Sequence, residues 1–335
     1  MHDYPPAAHA AFRKTVTRLC VLTLTQLVSF QLFGAIMQSL MIITYGILNG
    51  GVDPGLLTDT ERLTGLVMDL YTRFPYSLYM IIPYVLSFVL VYGIYAGVRR
   101  LPVRATLRRG RLTPRAFAAA FFLVLGAGTV SDYVTRGMVE LLRLIGLAPV
   151  DMPFMAHAGA ANIFSVIVQV AVLPALIEEY AYRGVTLVEL APFGRRSAVV
   201  LSALLFSLMH AIAIQIPNAF LLGLLMAYLA LRYESVWIAV FVHFANNGLA
   251  IAIEYLQKYN AGAQRLFGGG WHTEALNLVF LVFGIIGALM VRRPDNRPVE
   301  VGAPSGAKAL FTSWGFYLLL AAVALFTAFS LERIV

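Results

Sequence analysis

Cysteine is all but missing. Cys20 is the only one in 335 residues, so no intrachain disulfide can form and Cys-based metal or redox motifs are excluded. Charge is scarce as well: Asp, Glu, Lys and Arg make up 13% of the chain, against 60% hydrophobic residues. Soluble domains carry about a quarter charged residues, so this composition is that of an integral membrane protein. The alternating pattern of barrel strands is absent, and the apolar stretches run to about 20 residues, so the spans are helices. No internal repeat is found, no His-Glu-x-x-His zinc motif occurs, and no prenylation box ends the chain. What remains is an all-α fold, a polytopic bundle of transmembrane helices.

About nine spans are predicted, near residues 19–48, 76–98, 116–134, 160–182, 198–214, 217–231, 235–256, 273–291 and 310–329. The first is too long for a signal-peptide core and is read as a retained span. With Gln26, Gln31 and Gln38 inside it, it is expected to tilt, bend or lie partly at the interface. Met138–Leu147 is too short to cross and reads as an amphipathic surface helix. Gly93-x-x-x-Gly97 is a candidate close-packing face, and residues 299–307 read as a linker before a last, peripheral span. The chain divides into an accessory region (residues 1–159, about three spans plus the surface helix), a core (160–256) and C-terminal spans (257–335).

The net charge of +8 comes almost entirely from arginine and sits in loops between spans. That placement speaks for topology and anionic lipid as the partner, and against nucleic acid. Arg99, Arg100, Arg104, Arg108, Arg109, Arg111 and Arg115 crowd one loop; putting it in the cytoplasm brings Arg13, Lys14, Arg18, Arg195, Arg196, Arg292, Arg293 and Arg297 to the same side. The opposite face receives Asp53, Asp59, Glu61 and Asp69. The N-terminus is therefore expected in the cytoplasm. The arginine bias and compact loops point to a bacterial cytoplasmic membrane.

Against this apolar background a few ionisable side chains stand out. Glu178, Glu179 and Arg183 lie in one span, His210 in the next apolar segment, and His243 and Asn247 in a later one. Each such charge near the bilayer centre costs about 2.5–3.5 kcal/mol on insertion scales, so these groups must be paired, wet or functional. Adjacent helical residues point about 100° apart, so Glu178 and Glu179 cannot serve one cavity. Glu179 and Arg183, four apart in the favoured order, suit an intrahelical ion pair, which leaves Glu178 to face the bundle. A buried carboxylate can take a proton from water, the water can attack an amide carbonyl, and His243 and Asn247 can donate to the oxyanion. His210 can position the water or pass a proton to the leaving amine. The partner is then a membrane-associated peptide or protein; oligomeric state is not encoded in any feature found.

Glu178-Glu179-x-x-x-Arg183, Phe206-x-x-x-His210 and His243-x-x-x-Asn247 resemble, in order, the three motifs of the CPBP family. That family comprises the type II CAAX prenyl endopeptidases and the bacterial Abi, bacteriocin-processing membrane proteases. The resemblance covers residues 160–254 and implies an intramembrane peptidase acting near the cytoplasmic face. It implies Glu178 as the water-activating base, Glu179 and Arg183 in support, and His210, His243 and Asn247 completing the catalytic set. Many members are labelled metalloproteases; zinc here would need Glu178, His210 and His243 from separate helices, and a metal-free, glutamate-activated water accounts better for Asn247. No obligatory cofactor is expected.

Bland readings stand beside these. Phe206 is first a packing residue, and a lone intramembrane His or Asn is more often an interhelical hydrogen bond. Asn246 is read on another face from Asn247, Asn218 as a turn after Pro217, and Gln169, Gln215 and Asp132 as span-end or bridging residues. The first rival function is a transporter with an intramembrane proton or ion site, which the missing repeat disfavours. The second is a non-enzymatic immunity or scaffold protein of the same fold.

Overall fold

In lipid, a chain with long apolar runs must satisfy its backbone N–H and C=O groups internally, and the α-helix does so within one segment. The computed structural model describes residues 6–51, 53–73, 76–110, 112–150, 162–291 and 305–333. Arg111, His2, His157 and the Arg292-Arg293-Arg297 loop lie outside the described residues.

Among the described residues, seven helices are long and apolar enough to cross a membrane. They are α1 (Pro6–Leu48), α2 (Leu78–Val98), α3 (Pro114–Leu144), α4 (Ile163–Phe193), α6 (Gln215–Arg232), α7 (Val236–Tyr259) and α8 (Trp271–Val291). Two more predicted spans form helices that fall short: α5 (Arg195–Leu208) has 14 residues and α9 (Trp314–Ala328) has 15. At 1.5 Å per residue these reach about 21–23 Å, less than the ~30 Å hydrocarbon core. The all-α bundle stands as read from composition, with seven full-length spans in place of nine.

Several boundaries move. The stretch expected as a surface helix is the last part of α3, which runs unbroken to Leu144 because nothing in it stops a helix; Gly137 is carried inside. At its start, Pro114 occupies the first turn and the Thr113 hydroxyl accepts the Ala116 N–H. α1 is one helix of 43 residues, about 65 Å long, twice the hydrocarbon thickness. Its first half is buried against α2 and α9, while Leu32, Ile36, Ile43 and Ile47 farther along are exposed apolar side chains.

Among the described residues, α3 and α8 make the most extensive helix–helix contact. A β-carbon placed on Gly126 would lie 2.7 Å from the Gly284 Cα, so the two backbones touch where neither residue has a side chain. Gly93 and Gly97 do not play this part; space around both is open. α9 packs along α1, with Gly315 against the Thr17 carbonyl. At one end of the bundle Arg18 of α1, and Tyr95 and Arg99 of α2, converge on the half-buried Glu189 of α4. At the other end, Arg136 of α3 pairs with Asp132 in its own helix and with Glu274 of α8, so Arg136, and not Asp132, bridges the two helices.

Candidate active site

α4 carries the first motif on an irregular helix. Residues 167–172 and 180–186 are wound as π-helix, with a regular turn at 173–179 between them. Pro174 lies at the join: it has no N–H, so it cannot serve the carbonyl of Val170 four residues earlier. The Asn247 amide of α7 donates to that carbonyl instead, at 2.7 Å. Local irregularity of this kind inside a helix accompanies functional sites often enough to be a signal in itself.

Glu178 and Glu179 are both buried and do different things. Glu179 is wholly inaccessible, and its Oε1 accepts from Arg183 Nη1 at 2.8 Å and from His243 Nδ1 at 2.9 Å. Arg183 spends a second donor on the Gly223 carbonyl of α6 (3.1 Å) and lies 4.3 Å from the centroid of the Phe206 ring. Glu179 thus ties α4 to α7 and neutralises a buried guanidinium, an arrangement whose loss of one partner costs about 3–5 kcal/mol. Glu178 turns instead into a cavity of about 470 Å³. Its Oε1 accepts from the Tyr84 hydroxyl of α2 at 2.6 Å, and its Oε2 lies 4.0 Å from His243 Nε2 with no hydrogen-bond partner.

The tautomers of the two histidines follow from these contacts. A carboxylate oxygen can only accept, so His243 carries its proton on Nδ1 and, when neutral, offers an Nε2 lone pair beside Glu178. His210 ends its segment one residue before Ala211, whose φ of 50° reverses the chain. Its Nδ1 donates to the Phe206 carbonyl at 2.9 Å, which leaves Nε2 as the acceptor. Phe206 stands edge-on to both imidazoles, with ring centroids 5.1 Å from His210 and 5.8 Å from His243. It packs, and it fixes both rings.

Glu178, Phe206, His210, His243 and Asn247 all line this cavity; Glu179 and Arg183 lie behind it. Asn246, expected on another face, lines it too and donates to Asn247 Oδ1 at 3.0 Å. Asn218, expected in a turn, belongs to α6: Pro217 sits in the helix's first turn, where a missing N–H costs nothing, and Asn218 Nδ2 donates to the Ile214 carbonyl at 3.1 Å. Gln169 and Gln215 complete a polar rim. Tyr84 is the residue that sequence reasoning missed, since one tyrosine among several in an apolar span carries no local signal. Pro174 inside an apolar run was visible and marks where α4 distorts.

The depth of the site can be read from the basic loop. Gly184 of α4 packs against the Thr106 carbonyl, and the Val236 N–H that opens α7 donates to the Arg108 carbonyl at 3.0 Å. Glu178 is six residues from Gly184 and His243 seven from Val236, so both lie about 9–11 Å beneath the loop that holds Arg104, Arg108 and Arg109. α4 continues past Arg183 to Phe193, and α5 starts beyond that level. That is how Glu178 and His210 come to share one cavity.

A zinc ion fits poorly. Among the described residues no three His, Cys, Asp or Glu side chains group closely enough to hold a metal.

Residues 160–249 match the family model described as Type II CAAX prenyl endopeptidase Rce1-like. No curated protein and no solved structure matches the chain.

Proposed function

We propose, from the premise that residues 160–249 form an Rce1-like domain within a membrane-embedded bundle, that the chain is an intramembrane endopeptidase cutting a membrane-associated protein or peptide. The observation that carries this reading is the unpaired Glu178 Oε2, 4.0 Å from His243 Nε2 in the cavity wall. Two acceptors at that separation can both bind one water molecule at ordinary hydrogen-bond lengths of about 2.8 Å. The water gives one hydrogen to each, and its lone pair then points away from both, toward a carbonyl carbon in the cavity.

Glu178 takes the water's proton as the oxygen attacks the scissile carbonyl, and passes that proton to the amide nitrogen as the C–N bond breaks. Tyr84 holds the other carboxylate oxygen, so only Oε2 is free to move a proton. Glu179 fixes the His243 ring and Arg183 balances its charge; both act through His243 and not on the substrate. The remaining side-chain N–H of Asn247 and that of Asn246 are neutral donors in the cavity wall for the developing oxyanion. His210 accepts through Nε2 and positions the water or the leaving group. Because the zinc donors do not gather, no step runs through a metal. The site lies on the side of the basic loop, which the positive-inside rule places in the cytoplasm.

The test is comparative proteomics of membrane peptides from cells carrying wild-type or Glu178→Gln protein at equal levels. Fragments present only with wild type are expected; identical peptide profiles would reject the reading.

A further inference from the structure

α7 stands between two cavities. His243 and Asn247 line the one that holds Glu178, while their neighbours Phe244 and Gly248 line another, of about 540 Å³, on a different face of the helix. Among the described residues its walls include Phe241, Phe244, Gly248 and Tyr255 of α7, Phe121 of α3 and Ile163 of α4. The Tyr255 hydroxyl is the one side-chain donor or acceptor in that lining. From Phe241 to Tyr255 the cleft follows 14 residues of helix. That is about 21 Å, more than the ~15 Å of half a hydrocarbon core. At one end Phe117 of α3 meets Phe241 edge-on, ring centroids 5.1 Å apart, and brings the two helices together. The other end lies at Tyr255, whose ring is 4.7 Å from that of Tyr259, on the side of the bundle away from the basic loop. Tyrosines gather at the membrane–water interface.

Water finds no partners in an apolar cleft of this kind, and an empty one forfeits dispersion contacts along its walls. An extended peptide does not suit it, because its N–H and C=O groups would go unsatisfied. A helix from a second copy keeps a width of about 10 Å along its length, whereas this cleft closes at the Phe117–Phe241 contact. Phe121 and Phe244 are 36% and 43% exposed, so the cleft is continuous with the lipid-facing surface of the spanning helices. We propose that it is a binding site for one acyl chain of a bilayer phospholipid. The headgroup stays at the interface beside Tyr255, and the chain runs past the membrane midplane to Phe241. On the way it packs against the back of the helix that carries His243 and Asn247. The site is separate from the catalytic cavity and does not depend on the peptidase reading.

Gly248 supplies the test. A β-carbon there meets nothing within 4 Å, so a larger side chain can grow into the cleft. Full-length wild-type, Gly248→Ala and Gly248→Phe proteins are reconstituted in nanodiscs of palmitoyl-oleoyl-phosphatidylcholine. A trace of the same lipid carries a diazirine at the end of its palmitoyl chain. After irradiation the labelled peptides are mapped by mass spectrometry, and a parallel sample is moved to detergent for native mass spectrometry. Wild type and Gly248→Ala are expected to be labelled around Phe121 and Phe241 and to retain one phospholipid per chain. Gly248→Phe is expected to lose both the label and the lipid while unfolding at the wild-type temperature. Should Gly248→Phe fail to fold, Ala252→Phe, one turn along in the same wall, takes its place. Equal labelling of wild type and the filled variant overturns the proposal. So does substrate-free wild type without a phospholipid, as a cleft reserved for a lipid on the substrate would show. A wild-type dimer that Gly248→Phe splits also overturns it, because a second copy then occupies the cleft.

Discussion

Tyr84 and Glu178, 94 positions apart in sequence and on different spans, share a hydrogen bond of 2.6 Å deep in the bundle. The bond leaves one carboxylate oxygen of Glu178 unpaired and faces it toward His243. It also makes a helix outside the matched residues part of the site. Tyr84→Phe is expected to lower kcat about tenfold with KM nearly unchanged, because the carboxylate loses its fixed orientation while the cavity keeps its shape. Steady-state kinetics on the two proteins reads the split; an unchanged kcat rejects the positioning role.

The two glutamates should separate in stability as well as in activity. Removing Glu179 strands the buried Arg183 guanidinium and releases His243, so Glu179→Ala is expected to cost about 3–5 kcal/mol. Glu178→Gln keeps the Tyr84 bond, since an amide oxygen also accepts, and should unfold at nearly the wild-type temperature. Thermal unfolding in detergent compares them, and an equal loss in both variants contradicts the division of labour.

Asn247 has a structural duty besides any chemical one. It donates to the Val170 carbonyl that Pro174 cannot serve, so Asn247→Ala should lose about 1–2 kcal/mol of stability along with turnover. Adding Pro174→Ala supplies the missing helix N–H and should restore the unfolding temperature without restoring turnover. Recovery of both would mean that Asn247 acts only as a cap.

How far the sequence carried the fold and the site depends on the range of the contact involved. The spacing Glu179 to Arg183 is a local helical relation, and it yields the ion pair directly. The opposite roles of adjacent glutamates follow from the 100° step and match the separate surroundings of Glu178 and Glu179. Tyr84, Gln169 and Asn218 become site residues only through packing between helices, which no periodicity reports. Span ends failed for a related reason: apolar length does not show where a helix stops, so α3 swallowed a presumed surface segment and α5 proved too short to cross. The Gly-x-x-x-Gly pair misled because small residues permit close packing without requiring it. The true contact, Gly126 with Gly284, joins different helices.

That contact gives its own test. Gly126→Val places methyl groups where the Gly284 backbone already lies, and overpacking of this kind costs about 1–3 kcal/mol. Gly93→Val projects into open space and should leave the unfolding temperature unchanged. A Gly126→Val protein as stable as wild type would contradict the α3–α8 packing.

If water is activated by Glu178 alone, metal-stripped protein should keep its turnover. Activity is measured after exhaustive chelation and again after adding zinc. Loss on chelation with recovery on zinc would require a metal.

The most direct measurement is the cleavage rate of a peptide substrate by purified full-length Glu178→Gln protein, with folding checked by thermal unfolding in the same sample. The expected result is a wild-type unfolding temperature with no detectable turnover; a folded Glu178→Gln protein that cleaves at the wild-type rate would contradict the account.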